Sequence, residues 1–295
     1  MQALALLRTL CSNVEVRHYI RRIEARTSHA PILISNQSRI LGMLLSTFTD
    51  SFRIKHFAWE IGSLYAETVF PSLITLECRR LSCNMDLSWI KWHLAHCRIR
   101  RLCLSLSFRI SGDTGKWLWN GIAMPSVEDL CLEYMDISEL DPSKLGDLKG
   151  LELNLCSGTL LFLERWMAVD RANQLSSLKI AANLPPAFLR VLIDFISQRT
   201  SLRQLALRMG GTREVLSIES LIPHAATLEY LVLDFRHVIT EVHTTIKYTL
   251  RDFEGIMRHF SSLKGVGIPL DFRDFQSVRY RRAKYQSIPK IFSPH

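Results

Sequence analysis

The most chemically reactive stretch of the sequence is HLAHC, which places His93, His96 and Cys97 close together, with Cys103 soon after. Imidazole nitrogen and thiolate sulfur are the ligands that zinc prefers. A complete site needs four ligands, however, and no second cysteine pair with the usual spacing exists in the sequence. The segment has the pattern of an amphipathic helix beside a strand, where His and Cys would serve packing. We therefore predict no metal and no cofactor.

Motifs for catalysis or phosphate binding are missing from the sequence. It has no P-loop, no GxGxxG fingerprint, no GxSxG elbow and no HExxH. The paired glycines of RMGGTRE (Arg208 to Glu214) follow a predicted strand and fit a strand-to-helix turn. No pair of Asp, Glu or His residues is placed by a motif for acid–base work. We predict a protein that is not an enzyme and name no catalytic residue.

Composition indicates a folded protein with an ordinary core. The chain has 295 residues, 47% of them apolar and 22% charged, which suits one elongated repeat domain or two compact domains. No run of 18 apolar residues exists, so we expect no membrane span. The N-terminus is a poor secretory signal. Seven cysteines without a CxxC pair favour a reducing compartment, cytoplasmic or nuclear.

The C-terminal tail, residues 271–295, is basic and aromatic. The net charge of the chain is +9, and after Phe275 five basic residues occur with no acidic one. Phe272, Phe275, Tyr280 and Tyr285 alternate with arginines, a combination that can stack on nucleic-acid bases. The alternative is a C-terminal cap with a solvated basic surface, since terminal repeats need polar covers. We favour the cap and expect nucleic acid to be an unlikely partner.

An internal repeat organises the rest of the chain. The pattern apolar-x-x-apolar-x-apolar, the spacing of a half-buried strand, occurs ten times. The ten copies are Ile20/Ile23/Ala25, Ile54/Phe57/Trp59, Leu73/Leu76/Cys78, Ile99/Leu102/Leu104, Val127/Leu130/Leu132, Leu148/Leu151/Leu153, Leu175/Leu178/Ile180, Leu202/Leu205/Leu207, Leu228/Leu231/Leu233 and Leu263/Val266/Ile268. A Ser or Thr precedes the first apolar position in five copies, at Ser72, Ser126, Ser201, Thr227 and Ser262.

Segments with helical spacing lie between these strands, over residues 159–172, 185–200 and 244–260. Alternating strand and helix at this period predict an α/β fold of the leucine-rich-repeat type. We expect a solenoid horseshoe, with parallel strands on its concave face and helices on its convex face. The Asn/Cys position of the consensus is met only by Cys156 and Asn183, so the repeats are degenerate. The predicted domain spans 1–270, with a helical lead-in over 1–19.

The sequence resembles the fungal F-box/leucine-rich-repeat proteins. The likeness rests on LLRTLCSNVEVRHYIRRIEAR (Leu6 to Arg26), FPSLITLEC (Phe70 to Cys78) and MPSVEDLCLEYM (Met124 to Met135). The resemblance implies substrate recognition for a cullin–RING ubiquitin ligase. The F-box itself is missing from this sequence. Ligase subunits are therefore expected as partners only if an F-box lies upstream.

A partner would bind the concave face of such a horseshoe, through residues that alternate with the core positions. This predicted face combines six basic with seven acidic residues, whereas nucleic acid requires a positive stripe. Mixed charge with Tyr and Arg favours a protein partner. One alternative is a solvated strand face without a dedicated ligand. The other is a nucleic-acid-associated or generic scaffold protein that uses the basic tail. The predicted contact residues are Arg101, Asp129, Glu133, Glu152, Asn154, Lys179, Gln204, Arg208, Tyr230 and Asp234.

Overall fold

The structure is a computed structural model that describes residues 2–26, 43, 45–48, 54–60, 69–81, 88–106, 119, 121–169, 174–183, 187–210, 215–235 and 248–270. The chain divides into two compact units. The first comprises Met1–Asp147 with Cys156–Gly158, and the second comprises Leu148–Leu155 with Thr159–His295. The predicted tail, residues 271–295, lies outside the described residues.

Each unit contains five parallel strands, which pair in the order in which they occur in the chain. The strands of the first unit are β1 (Arg22–Arg26), β2 (His56–Glu60), β3 (Thr75–Leu81), β4 (Arg101–Leu106) and β5 (Asp129–Glu133). Those of the second are β6 (Gly150–Asn154), β7 (Ser177–Asn183), β8 (Gln204–Gly210), β9 (Tyr230–Asp234) and β10 (Gly265–Gly267). The predicted α/β class with parallel strands is confirmed.

All ten copies of the repeat overlap strands, and equivalent apolar positions are register partners within each unit, with one register shift between β3 and β4 after Cys78. In the first unit the second apolar position forms the row Ile23, Phe57, Leu76, Leu102 and Leu130. In the second unit the same row is Leu151, Leu178, Leu205, Leu231 and Val266. Because side chains alternate along a strand, this register places the apolar positions on one side of each sheet, where nearly all of them are buried.

The start of each strand is fixed by a repeated hydrogen-bond pattern. The carbonyl of Arg203 accepts from the backbone N–H groups of both Glu229 (2.7 Å) and Tyr230 (3.0 Å). The carbonyl of Glu229 accepts in the same way from Lys264 and Gly265. Further carbonyls that accept from two successive N–H groups belong to Arg21, Lys55, Ile74, Arg100, Lys149 and Ser176. The shared acceptor sets where each new strand joins its neighbour.

The Ser and Thr residues before the strands also link successive repeats. The hydroxyl of Thr227 donates to the carbonyl of Leu202 at 2.9 Å, and that of Ser201 donates to the carbonyl of Leu175 at 3.3 Å. Ser262 donates to the carbonyl of Ala226 at 2.8 Å. These contacts satisfy carbonyls that the strand pairing leaves free, which gives the recurring hydroxyl a physical reason.

Six α-helices lie entirely within the described residues. They are α1 (Gln2–Ser12), α2 (Val14–Tyr19), α3 (Ser88–His96), α4 (Thr159–Ala168), α5 (Ala187–Ser197) and α6 (Leu250–His259). Two 3₁₀ helices, Pro142–Lys144 and Ile218–His224, occur in addition. The predicted helices over 159–172 and 185–200 are confirmed as α4, which ends at Ala168, and α5, which ends at Ser197.

Helices α4 and α5 pack together through aromatic rings. Trp166 of α4 lies with its ring centroid 5.5 Å from that of Phe162 and 5.4 Å from that of Phe195 of α5. The Arg199 guanidinium, almost fully buried, lies 4.2 Å from the centroid of Phe195. Aromatic and cation–π contacts of this kind add to the stabilisation that burial alone provides.

The prediction of one helix over 244–260 is wrong at its start. Helix α6 begins at Leu250 because Thr249 forms a capping box: its hydroxyl accepts from the Asp252 N–H, and the Asp252 carboxylate accepts from the Thr249 N–H at 2.8 Å. The residue before the cap, Tyr248, is in an extended bridge with Leu270 instead. Its hydroxyl donates to the carbonyl of Leu216 at 3.0 Å.

The two residues at the Asn/Cys position of the repeat behave differently. Cys156 is buried, and its thiol donates to the Leu132 carbonyl at 3.3 Å. Asn183, by contrast, is the exposed last residue of β7 and pairs with Gly210. The buried Cys156 thiol therefore links its own repeat to the previous one, whereas Asn183 has no such place in the core.

Candidate functional site on the polar strand face

The side of each strand opposite the core carries the polar residues, and we call it the polar strand face. The strand burial patterns alternate between buried and accessible, as in β2, β6 and β9. In the first unit this face comprises Arg22, Glu24, His56, Glu60, Thr75, Glu77, Arg79, Arg101, Cys103, Ser105, Asp129, Cys131 and Glu133. In the second unit it comprises Glu152, Asn154, Ser177, Lys179, Gln204, Ala206, Arg208, Tyr230, Val232, Asp234, Gly265 and Gly267. All ten predicted contact residues lie on it.

Charges on the polar strand face of the first unit largely pair with one another. The Glu77 carboxylate lies 3.8 Å from the Arg79 guanidinium and 3.8 Å from that of Arg101. Arg101 in turn is the register partner of Asp129 on the next strand. Arg22 and Glu24 form another ion pair. Such exposed pairs contribute little to stability, but they leave no continuous positive stripe on this face.

The polar strand face of the second unit also combines both signs. The Lys179 ammonium contacts the Glu152 carboxylate at 3.2 Å. Arg208 and Asp234 are register partners on β8 and β9. Gln204 accepts a hydrogen bond of 3.3 Å from the Ser177 hydroxyl. The predicted residues Glu152, Lys179, Gln204, Arg208 and Asp234 are thus neighbours on adjacent strands.

One part of this second-unit face is apolar and flat, and we call it the Tyr230 patch. Tyr230 is 45% exposed, although it is a large aromatic residue on a strand. Its register partners are Gln204 and Gly265, and a Cβ added at Gly265 would meet the Tyr230 ring at 3.1 Å. The next row consists of Ala206, Val232 and Gly267. Small residues around an exposed tyrosine leave its ring accessible to a partner.

Sequence reasoning missed a row of charged residues that directly precede β8, β9 and β10 in the second unit. The Glu229 carboxylate accepts from the Lys264 ammonium at 2.7 Å and lies 3.6 Å from the Arg203 guanidinium. The Lys264 hydrogen bond lowers the pKa of Glu229, and the same bond raises the pKa of Lys264. The signal was present in the sequence, since these three residues occupy the first variable position of consecutive repeats and alternate in charge.

The residues considered as metal ligands instead hold α3 to the loop before β3. Nε2 of His93 accepts from the backbone N–H of Phe70 at 2.9 Å, so Nδ1 carries the proton and donates to the Trp89 carbonyl at 2.8 Å. The Cys97 thiol donates to the Phe70 carbonyl at 3.4 Å. Burial lowers the pKa of His93 to about 4, so the ring is neutral. The imidazole therefore has no free nitrogen for a metal.

His96 ends the same helix and contacts the Trp92 carbonyl through Nδ1 at 2.8 Å, and the last candidate, Cys103, is not brought to that helix. Cys103 lies on the polar strand face of β4, whereas His93 packs on the core side. Within the ranges that the structure describes, no three His, Cys, Asp or Glu side chains are grouped to hold a metal ion. Arg208 to Gly210 end β8, and the rest of RMGGTRE lies outside the described residues.

A surface cavity of about 580 Å³ lies between α3 and the segment 121–127 of the first unit. Its lining combines apolar side chains, such as Leu94 and Met124, with the basic Lys91 and Arg98. His96 also lines it, as does Cys97, whose thiol donates to the Phe70 carbonyl, and the polar strand face is the stronger candidate for a binding site.

Comparisons with known protein families, with curated proteins and with solved structures find no match for this chain. The fold and the site define a parallel α/β repeat structure with a polar, mixed-charge strand face. No helix in the described part of the chain is both long enough and apolar enough to cross a bilayer.

Proposed function

We propose that this protein is a non-enzymatic protein–protein interaction module of the leucine-rich-repeat type. In this proposal the strands line the concave side of a horseshoe, and the polar strand face binds a protein. The observation that carries the proposal is the Tyr230 patch, an exposed aromatic residue among small neighbours, with the register pair Arg208 and Asp234 further along the same face. Tyr and Arg are enriched among the residues that dominate the binding energy of protein interfaces.

The charges of the face favour a protein over a nucleic acid as the partner. A nucleic-acid groove needs unpaired cations that replace counterions along the phosphates. Here Lys179 pairs with Glu152, and Arg79 and Arg101 lie beside Glu77. Mixed and mutually paired charges of this kind resemble those at the polar rim of a protein interface.

A role in substrate recognition for a ubiquitin ligase is the more specific part of the proposal. Its support is the resemblance of the sequence to F-box/leucine-rich-repeat proteins, which is an argument from fold-level analogy. Binding to ligase subunits would require an F-box in addition to the repeats. The substrate-binding part would act through the polar strand face whether or not that module is joined to it.

The test compares affinity capture by three proteins. They are the wild type, the double variant that combines Tyr230→Ala with Arg208→Glu, and the control variant Ile222→Ala. Ile222 is a suitable control because it is 42% exposed, close to the 45% of Tyr230, but lies in a 3₁₀ helix. We expect the same proteins to be captured by the wild type and the control and lost with the double variant. Each captured protein is then purified and its Kd measured, with a rise of at least about tenfold expected for the double variant.

Two results would refute the proposal. Equal binding by the double variant would exclude the Tyr230 patch. Loss of all capture after nuclease treatment would show that binding depends on nucleic acid. Loss of all capture after removal of residues 271–295 would show that it depends on the tail.

A further inference from the structure

Two cysteines lie side by side on the polar strand face of the first unit. Strands β4 and β5 pair so that Cys103 is the register partner of Cys131. Paired strands are about 4.8 Å apart, which lies within the Cα separations of about 4.4–6.8 Å that disulfides bridge. The flanking Leu102 and Leu104 are buried in the core, so both thiols project from the opposite side of the sheet. The fold thus pairs the two cysteines on one side of neighbouring strands, at a Cα separation that a disulfide can bridge.

The surroundings of the pair favour the thiolate form at one of the two sulfurs. A hydrogen bond from the Cys131 thiol lowers the pKa of Cys103, and the nearby Arg79 guanidinium acts in the same direction by charge and by a hydrogen bond. Burial and the Glu77 carboxylate oppose this effect. A thiolate is the nucleophile in thiol–disulfide exchange.

Accessibility differs between the two sulfurs in a way that assigns their roles. Cys103 is 4% exposed, whereas Cys131 is only half-buried. A reagent therefore meets Cys131 first. The thiolate of Cys103 lies behind it, placed to attack a sulfur bonded to Cys131.

The other buried cysteines that the structure describes have the opposite character. Cys78 lies on the core side of β3, where burial raises its pKa. Burial also raises the pKa of Cys97, whose thiol donates to Phe70. Cys156 is buried and donates to Leu132. These thiols are structural, and the Cys103–Cys131 pair differs from all three in its setting.

We propose that Cys103 and Cys131 form a redox-active dithiol, oxidised reversibly to a disulfide by a small disulfide such as oxidised glutathione. Cys131, the more exposed thiol, loses its proton and attacks the small disulfide, forming a mixed disulfide and releasing one small thiolate. Cys103 then attacks the Cys131 sulfur, the protein disulfide forms, and the second small thiolate leaves. The two protons of the protein thiols end on the two released thiols, so one disulfide is consumed for each one formed. This inference does not depend on the proposed function.

The experiment uses the full chain, folded and in a series of reduced and oxidised glutathione ratios. Free thiols are blocked after equilibration, and the tryptic peptides are analysed without reduction. Cys103 lies in the peptide Leu102–Arg109 and Cys131 in Trp117–Lys144, so the disulfide joins two peptides that can be identified by mass. We expect this linked species to dominate and to disappear on reduction, with a mass lower by two hydrogens than that of the two free peptides.

Single variants separate the two roles. In Cys103→Ser, we expect the mixed disulfide between glutathione and Cys131 to accumulate, because the attacking thiolate is gone. In Arg79→Gln, the linked species should form several-fold more slowly, since less of Cys103 is ionised. Cys11→Ser is the control, because Cys11 is an exposed residue on α1 outside the pair, and it should oxidise as the wild type does.

Two outcomes would overturn the proposal. One is a wild type that stops at the mixed disulfide in the folded state. The other is linkage that appears only when urea is added, which would show that the folded chain does not bring the sulfurs together. Circular dichroism of each variant establishes that the compared chains are folded.

Discussion

Nε2 of His93 accepts a 2.9 Å hydrogen bond from the backbone N–H of Phe70, which joins α3 to the turn that precedes β3. The His93 ring is fully buried and also packs against Trp89, with a centroid distance of 4.0 Å. In the sequence His93 looks like a metal ligand. In the structure it stabilises the fold, as a hydrogen-bond acceptor through one ring nitrogen and a donor through the other.

Replacement of His93 should destabilise the first unit. In His93→Leu, the Phe70 N–H loses its acceptor inside the core and the Trp89 carbonyl loses its imidazole donor, at a cost of about 1–3 kcal/mol. The measurement is the urea midpoint of unfolding. His96→Leu is the matched control, since His96 is exposed on the same helix, and its midpoint should stay close to that of the wild type. Equal effects of the two changes would contradict this account.

Acidification should reduce stability through the same histidine. The folded-state pKa of His93, about 4, lies below the ordinary value of 6.5, so the unfolded chain takes up a proton that the folded chain resists. Stability should therefore fall as the pH drops from 6.5 towards 4, by roughly 3 kcal/mol in total from this group. Burial also lowers the pKa of His224, which adds a fall of the same sign.

Thermal unfolding measured at pH values between 7.5 and 4 tests this pH dependence of stability. His93→Leu should unfold with a shallower dependence on pH than the wild type does. If the variant and the wild type show parallel curves, another group is responsible for the slope.

Two glycines with the same backbone conformation should respond differently to alanine. Gly121 and Gly158 both have a φ of 75°, where a side chain costs about 1–2 kcal/mol. A Cβ at Gly121 would meet nothing within 4 Å, but one at Gly158 would lie 2.5 Å from the backbone nitrogen of Ser138. We expect Gly121→Ala to cost about 1 kcal/mol and Gly158→Ala at least about 3 kcal/mol. Similar urea midpoints for the two variants would refute the close approach at Gly158.

Removal of the Thr227 hydroxyl should weaken the link between two repeats. Thr227→Val keeps the shape of the side chain but leaves the Leu202 carbonyl without its 2.9 Å donor, at a cost of about 1 kcal/mol. Thr200→Val, at an exposed position, serves as the control and should have a smaller effect. Hydrogen exchange of the amides of β8 and β9 checks the location, since faster exchange is expected there in Thr227→Val alone.

The strands were predictable because their signal is local and periodic. Apolar residues at fixed spacing, mostly leucines, marked all ten strands, and the register followed because equivalent positions pair. The ends were less regular: Ile20 and Leu263, the first apolar positions of the first and last copies, are only partly buried. In the described part of the chain, β1 and β10 each pair with one neighbouring strand.

Contacts between separate parts of the chain could not be predicted from the pattern. The bond between His93 and Phe70 spans 23 residues, and no local rule relates the two positions. The start of α6 at Leu250 depended on a capping box that competes with the apolar spacing upstream of it. The Tyr230 patch required knowing that Gly265 lies beside Tyr230, which only the register establishes.

The pairing of equivalent repeat positions on neighbouring strands has a consequence for how such a chain can change in length. Leu178 and Leu205 occupy the same position on neighbouring strands of the second unit, although they are far apart in sequence. A genetic crossover that fuses the chain at these two positions would delete one whole repeat and create a hybrid strand. That hybrid would still present a leucine to the core and meet its new neighbours in phase. Gain and loss of complete repeats is therefore a structurally mild event for this protein, whereas a deletion of one residue inside a strand is severe.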